Sequence, residues 1–388
     1  MTVVKIVPEK NVFDDGFLDL IGREFATHEQ GLAEWVKNAA DAVLEAGLNP
    51  GVETIFLDFT DGTDGRPPVF GCIDFVGMTM ESIESAFKPW GRWRSGERVS
   101  GRYGGYGIGG KFYMRQMFAS SYLIGYARGL INVFGFNEEH AYGYAEGYRN
   151  RRVDPAEALL LAGVDSMAGI AGVKDAVVSG ERGFSAFRGV GPKGVEGRID
   201  VESLCAALRD HPQAQHPLRS HRVCVIHNGA VVIRRLRAGS IPRKSGFEKP
   251  WVRRIPALLP GTGREMDGMV RLAGDSRFPG TLTLFVADRP LVRRGKMASL
   301  NRIDFMEGEE VVASDRMEEL DLDVPYGESI FGRCRLSRGE FAGRCRGTKT
   351  RDRLVDTPES RALLRWVREQ VVLFSEMVSG RSHIPEKG

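Results

Sequence analysis

Cysteine is scarce in this chain of 388 residues. Cys72, Cys205, Cys224, Cys334 and Cys345 are an odd number, and no two are spaced as Cys-x-x-Cys. That argues against a disulfide framework or a zinc site and fits a reducing compartment. Long apolar runs are missing as well: nothing approaches the roughly 18 residues of a membrane span. The opening Met-Thr-Val-Val-Lys-Ile-Val-Pro-Glu-Lys lacks the apolar core and cleavage site of a signal peptide. A cytoplasmic protein without membrane contact is expected. Charge of one sign is also lacking. The 54 Lys and Arg against 51 Asp and Glu leave +3, too little to coat nucleic acid by bulk charge, although local basic patches remain open. Neither repeats nor low-complexity tracts occur.

Glycine, by contrast, is abundant. Its 48 residues are about 12% of the chain, against a usual level of about 7%, so close backbone approach or flexibility matters somewhere. Hydrophobic residues at 42% and charged residues at 27% describe a chain with a sizeable core. At about 100–200 residues per domain, two domains are expected, possibly three. Arg, Gly, Pro and Ser cluster over 236–262 without periodicity, which places a boundary near 245 and gives domains 1–245 and 246–388.

Residues 16–46 read as two helices divided near Thr27–Gln30. Runs 52–59 and 69–75 read as a hairpin across the turn-rich segment 61–68. Residues 79–88 read as helix, and the Gly- and Arg-rich segment 89–111 leads into another. Strand patterns follow at 122–126, 131–136, 223–226, 281–286 and 329–336, while 137–200 gives no clear assignment. The chain ends in a long helix, with Thr357 as cap, Pro358 in its first turn and Gly380 at its end. Leu363, Val367, Val371, Phe374 and Val378 form one apolar face of it.

Three segments carry candidate chemistry. In Glu34-Trp-Val-Lys37-Asn38-Ala-Ala-Asp41-Ala, Asn38 lies about 40° from Glu34 around the helix and Asp41 about 20° to the other side. Leu32, Val36, Ala39, Ala40, Val43 and Leu44 fill the opposite arc. The polar stripe is either a solvated helix face or a site in which Glu34 activates a water and Asn38 ligates Mg²⁺, a hard cation that takes oxygen ligands and keeps waters. Asp41 would then hold neighbouring groups or solvent near the nucleotide.

At a strand end, Asp74-Phe-Val-Gly77-Met78-Thr79 offers a carboxylate for an exocyclic amine and a glycine for close approach, or simply a turn. The string Gly101-Arg-Tyr-Gly104-Gly105-Tyr-Gly107-Ile108-Gly109-Gly110-Lys111 meets three patterns. As a dinucleotide fingerprint it lacks the preceding strand. As a phosphate loop it fails at Phe112, where a hydroxyl belongs. As G-x-x-G-x-G, through Gly104, Gly107 and Gly109, it describes a lid over phosphates with Lys111 and helix N–H groups facing the anion. A structural flexible loop is the remaining reading.

The order and spacing of all three segments resemble the GHKL (Bergerat-fold) ATPases, which include type II topoisomerases, MutL, MORC proteins and the large heat-shock chaperone. The resemblance covers roughly 15–135 and weakens towards 240. It implies an α/β sandwich with helices on one face of a mixed sheet, followed by a smaller βαβ transducer-like domain. It implies ATP hydrolysis with ATP and Mg²⁺ as cofactors, and most resembles the MORC, MutL and chaperone types. Glu34 would be the base, Asn38 the metal ligand and Asp74 the adenine contact. Asp41, Gly77, Met78, Gly104, Gly107, Ile108, Gly109, Gly110 and Lys111 would line the nucleotide.

Two departures stand out. The usual Asp-x-Gly-x-Gly is here Asp74-Phe-Val-Gly77, one residue shorter, and Lys37 stands where many relatives carry Asp. In the second domain, Gly347-Thr-Lys349-Thr-Arg351-Asp352 is similar to the transducer loop whose lysine reaches the γ-phosphate, which makes Lys349 the candidate; an ordinary surface lysine is the other reading.

Arg92, Arg94, Arg98 and Arg102, interleaved with Trp90, Trp93 and Tyr103, could screen phosphates, stack on single-stranded nucleic acid or belong to a solvated loop. The spacing of His211, His216, His221 and His227 matches no metal site. The resemblance also implies a nucleotide-dependent homodimer acting on DNA or a protein client. A nucleotide-gated scaffold with negligible turnover and a histidine-kinase-like phosphotransferase are the alternatives.

Overall fold

The computed structural model describes residues 5–8, 25, 27–63, 65–88, 109–261, 269–272, 279–291, 300–308, 310–320, 322–337 and 353–380. The chain divides into two units, Met1–Ala238 and Gly239–Gly388.

The first unit is built on a mixed sheet. Its strands are β1 (Ile6–Pro8), β2 (Thr54–Thr60), β3 (Val69–Asp74), β4 (Phe118–Ala127), β5 (Leu130–Phe136), β6 (Tyr142–Ala145), β7 (Arg151–Arg152), β8 (Phe184–Pro192), β9 (Arg222–His227) and β10 (Ala230–Leu236). They lie in the order β1-β6-β5-β4-β8-β3-β2-β9-β10, with β7 beside β5. Pairing is antiparallel except between β2 and β9. The β2–β3 hairpin expected from sequence is present, its loop closed by Thr63 and Arg66, which exchange backbone hydrogen bonds.

Alternation along the strands sends side chains to two cores. Ile55, Leu57, Phe59, Phe70, Cys72 and Leu123 face one core; Phe56, Ile73, Tyr122, Ile124 and Tyr126 face the other. Helices α1 (His28–Glu45), α3 (Gly109–Met117), α6 (Val201–Asp210) and α7 (Pro212–Ser220) pack on the first face. Between α1 and α3 in sequence lies α2 (Met80–Ser82), which runs on into a π-helical turn, Ile83–Phe87.

The second face is not bare. The segment left unassigned by the sequence supplies α4 (Pro155–Ala162) and α5 (Ala171–Val178), which pack Ala158, Leu159, Ala162 and Val177 against it. The architecture is therefore a mixed α/β sandwich with helices on both faces, one more layer than expected. Arg188 of β8 fastens the added layer. Its buried guanidinium pairs with buried Asp58 of β2 and donates to the carbonyls of Ala162 (2.8 Å) and Gly163 (3.0 Å) at the end of α4.

The second unit holds a five-stranded sheet, β11-β14-β17-β15-β16, made of β11 (Trp251–Arg254), β14 (Gly280–Val286), β15 (Arg302–Glu307), β16 (Glu310–Arg316) and β17 (Ile330–Leu336). A separate pair is formed by β12 (Leu258–Pro260) and β13 (Met269–Arg271). Strands β15 and β17 run parallel. Among the described residues the chain passes between them through β16 and two 3-10 turns, and helix α8 (Pro358–Val378) follows. Within the described residues β16 doubles back on β15 as a hairpin, so that the parallel neighbours β15 and β17 are joined through it. Thr357 caps α8 by accepting from the Ser360 N–H at 3.1 Å. The expected face of Leu363, Val367, Val371, Phe374 and Val378 is buried.

Candidate functional site

Helix α1 begins after Thr27, which has extended backbone angles, and ends where Gly47 turns left-handed at φ +67°. Its apolar arc, Leu32, Val36, Ala39 and Ala40, is buried on the sheet. Trp35 stacks on Phe187 of β8, with centroids 4.5 Å apart and planes 5° from parallel. Through its middle turns the helix is covered on most sides, and the polar stripe is where it opens: Glu34 is half-buried and Asn38 exposed. Asp41, the third member of the predicted stripe, is buried.

The N-terminus of α3 lies directly over that opening. A side-chain carbon on Gly109 would sit 2.8 Å from Glu34 Oε2, and one on Gly110 would sit 3.1 Å from Asn38 Nδ2. The lack of a side chain at both positions lets the helix end approach two polar groups closely. The structure thus brings together Glu34, Asn38, Gly109 and Gly110, which are separated by about seventy residues in sequence.

Lys37 has the least expected position. It is almost wholly buried, and its Nζ donates to both carboxylate oxygens of Glu34, each at 3.1 Å, and to Gln213 Oε1 of α7 at 3.4 Å. Neither contact was assigned from the sequence. The three-residue spacing of Glu34 and Lys37 is a signal that could have found the first; Gln213, on another helix, gave none.

Asp74 ends β3 on the face that α1 covers, since Cys72, two residues earlier, belongs to the core beneath α1. Burial pushes its carboxyl up to about 7, against hydrogen bonds from the Val76 N–H, Ser185 and the Gly77 N–H that act to lower it. Ser185 is its partner across the β3–β8 register. Gly77 is left-handed at φ +97°, and a side-chain carbon there would lie 3.0 Å from Gly183 Cα and Tyr126 O. The space beside Gly77 is therefore filled by protein backbone. Met78 packs partly buried against the core beneath α1.

Lys111 lies in the first turn of α3 with its side chain buried. Its Nζ donates to the Phe87 carbonyl at 2.7 Å, and the Tyr142 hydroxyl donates to the same oxygen at 3.2 Å. Burial lowers the ammonium's pKa to about 7. Gly104, Gly107, Ile108 and Lys349 lie outside the described residues, as do Arg92, Arg94, Arg98 and Arg102 with their neighbouring aromatics. Of the histidines, His221 is buried, and His227 meets Asp61 at 2.9 Å. Among the described residues no group of three or more His, Cys, Asp or Glu could hold a metal. No helix there is long and apolar enough to cross a membrane.

No family model matches the chain, and no curated protein is similar to it. Among solved structures, it is similar to the ATPase region of topoisomerase II from Saccharomyces cerevisiae. The TM-score is 0.42 at 10% identity, over 91% of this chain and 86% of that one.

Proposed function

We propose that the first unit binds ATP with Mg²⁺ and hydrolyses it. The observation that carries this reading is the meeting of Glu34 and Asn38, one helical turn apart, with the N-terminus of α3. A carboxylate, an amide oxygen and the positive end of a helix are what attack on a triphosphate calls for. Mg²⁺ suits this donor set. Among the described residues no acidic or histidine cluster could cage a cation, and Asn38 would be a protein ligand beside phosphate oxygens and water. When bound, the ion would neutralise charge on the phosphates.

Within that reading Glu34 accepts the proton of the attacking water. Gly109 and Gly110 keep the approach to the phosphates free of side chains. Asp74 accepts a hydrogen bond from the adenine amine, on the sheet face that α1 also occupies. Lys111 would have to leave Phe87 O to reach a phosphate, and its buried ammonium gains from meeting an anion. Its role is therefore the most conditional on nucleotide. The family type, a nucleotide-dependent homodimer and a DNA or protein client belong to the same proposal. Gel filtration with a non-hydrolysable ATP analogue, with and without DNA, tests the last two.

The decisive experiment is phosphate release measured beside ATP calorimetry on Glu34→Gln. Retained binding with turnover reduced about 10²–10⁴-fold supports the base. Unchanged turnover removes it. Binding by the wild type without phosphate release supports the nucleotide-gated scaffold instead.

A further inference from the structure

Among the described residues Lys37 is one of the largest buried side chains, with 1% of its surface exposed. An ammonium taken out of water is costly unless it is paired and hydrogen-bonded. Here the pairing is specific. Nζ stands 3.1 Å from each oxygen of Glu34, so it spans the carboxylate rather than touching one end of it. A third contact, 3.4 Å to Gln213 Oε1, ties the ammonium to α7. The Glu34 side chain is only 14% exposed, and Gly109 approaches it so closely that a side-chain carbon there would be 2.8 Å from Oε2.

We propose that Lys37 is a positioning residue for Glu34: it fixes the carboxylate's direction under the N-terminus of α3, and Gln213 fixes Lys37. This rests on the reading of Glu34 as the water-activating base. A glutamate has three side-chain torsions, so an unheld carboxylate spends much of its time facing away from a bound water. A base must sit within hydrogen-bond reach of the proton that it takes. A carboxylate offers about four lone-pair sites on its two oxygens. A cation that takes one on each oxygen holds the group against rotation. Lys37 thereby acts through Glu34 and needs no contact with nucleotide. Its removal should alter turnover far more than affinity.

The test is steady-state phosphate release by the full chain carrying Lys37→Met, alone and combined with Glu34→Gln. Lys37→Met should lower kcat about tenfold, with KM for ATP within about threefold of wild type. In the Glu34→Gln background the same change should alter the residual rate by less than about twofold, since the group being positioned is already gone. Gln213→Leu, a milder change on the other helix, should lower kcat about threefold with KM unmoved, and it serves if Lys37→Met does not fold. Wild-type turnover in both single variants overturns the proposal and leaves Glu34's role intact. A rise in kcat overturns it too, because Lys37 would then be a restraint. A wild-type protein that binds ATP but releases no phosphate removes the base itself, and this proposal with it.

Discussion

Gly109 lies across the carboxylate of Glu34 so closely that a single methyl group there would come within 2.8 Å of Oε2 and 2.9 Å of Cδ. The clash would be with the end of a flexible side chain, so the fold has a way out and the site does not. Gly109→Ala is expected to keep its unfolding midpoint and ATP affinity close to wild type. Phosphate release should fall about tenfold, as expected for a displaced base. Urea unfolding and calorimetry read the first two quantities; undiminished turnover would mean that Glu34 has no part in the reaction.

Asp74 is the acceptor proposed for the adenine amine. Asp74→Asn keeps the shape but replaces one acceptor oxygen with a donor, which would face the amine's own hydrogens. A loss of affinity of about tenfold or more is expected in calorimetry, since a buried polar mismatch is left behind. Wild-type affinity would remove Asp74 from the nucleotide site.

The pair Asp58–Arg188 clamps α4 to the second face of the sheet, with both partners buried. Asp58→Ala leaves a guanidinium without its counter-charge and should cost about 3–5 kcal/mol of stability. Asp58→Leu combined with Arg188→Met should recover much of that loss, because no buried charge remains. Chemical unfolding of the full chain, followed on the first unit's transition, separates these outcomes. Equal losses in the single and double variants would contradict the account.

His221 and Asp74 make stability respond to pH with opposite signs. Burial lowers the imidazole pKa of His221 to about 4, against hydrogen bonds to Ala40 and Pro217, from a usual value of 6.5. Between those two values the unfolded chain binds a proton that the folded one refuses. Its contribution to stability therefore falls as pH drops from 6.5 towards 4, by up to about 1.4 kcal/mol per pH unit. Asp74, raised from 3.8 to about 7, behaves inversely: the folded state holds a proton that the unfolded one has released, so stability falls as pH rises through that window. The stability difference between wild type and His221→Gln should shrink on acidification, and that between wild type and Asp74→Asn should grow. A pH-independent difference in either series would refute the corresponding assignment.

Where regular periodicity met ordinary chemistry, the sequence was enough. Helix α1 with its buried arc, the β2–β3 hairpin, and α8 with Thr357 as cap and one apolar face follow from the spacing of apolar residues and from local capping. The proximity of Glu34 to Asn38 follows too, since a helix fixes neighbours one turn apart.

Strand β8 was not legible, although it lies between β4 and β3 in the middle of the sheet. Its run Phe-Ser-Ala-Phe-Arg-Gly-Val-Gly-Pro carries a charge and two glycines where a central strand usually carries branched apolar residues. Arg188 is tolerated because Asp58 of β2 meets it. Gly189 is needed because the Phe118 ring would lie 2.4 Å from any side-chain carbon there. Both reasons lie on other strands. The same holds for the site: the sequence supplied Glu34 and the glycines, but the seating of Gly109 on Glu34 and the passage of Lys37 beneath it to Gln213 depend on how three helices pack on one sheet face. Local spacing determines what shares a helix face. Only the packing of distant segments decides which groups meet across helices, because those contacts are set by the core between them.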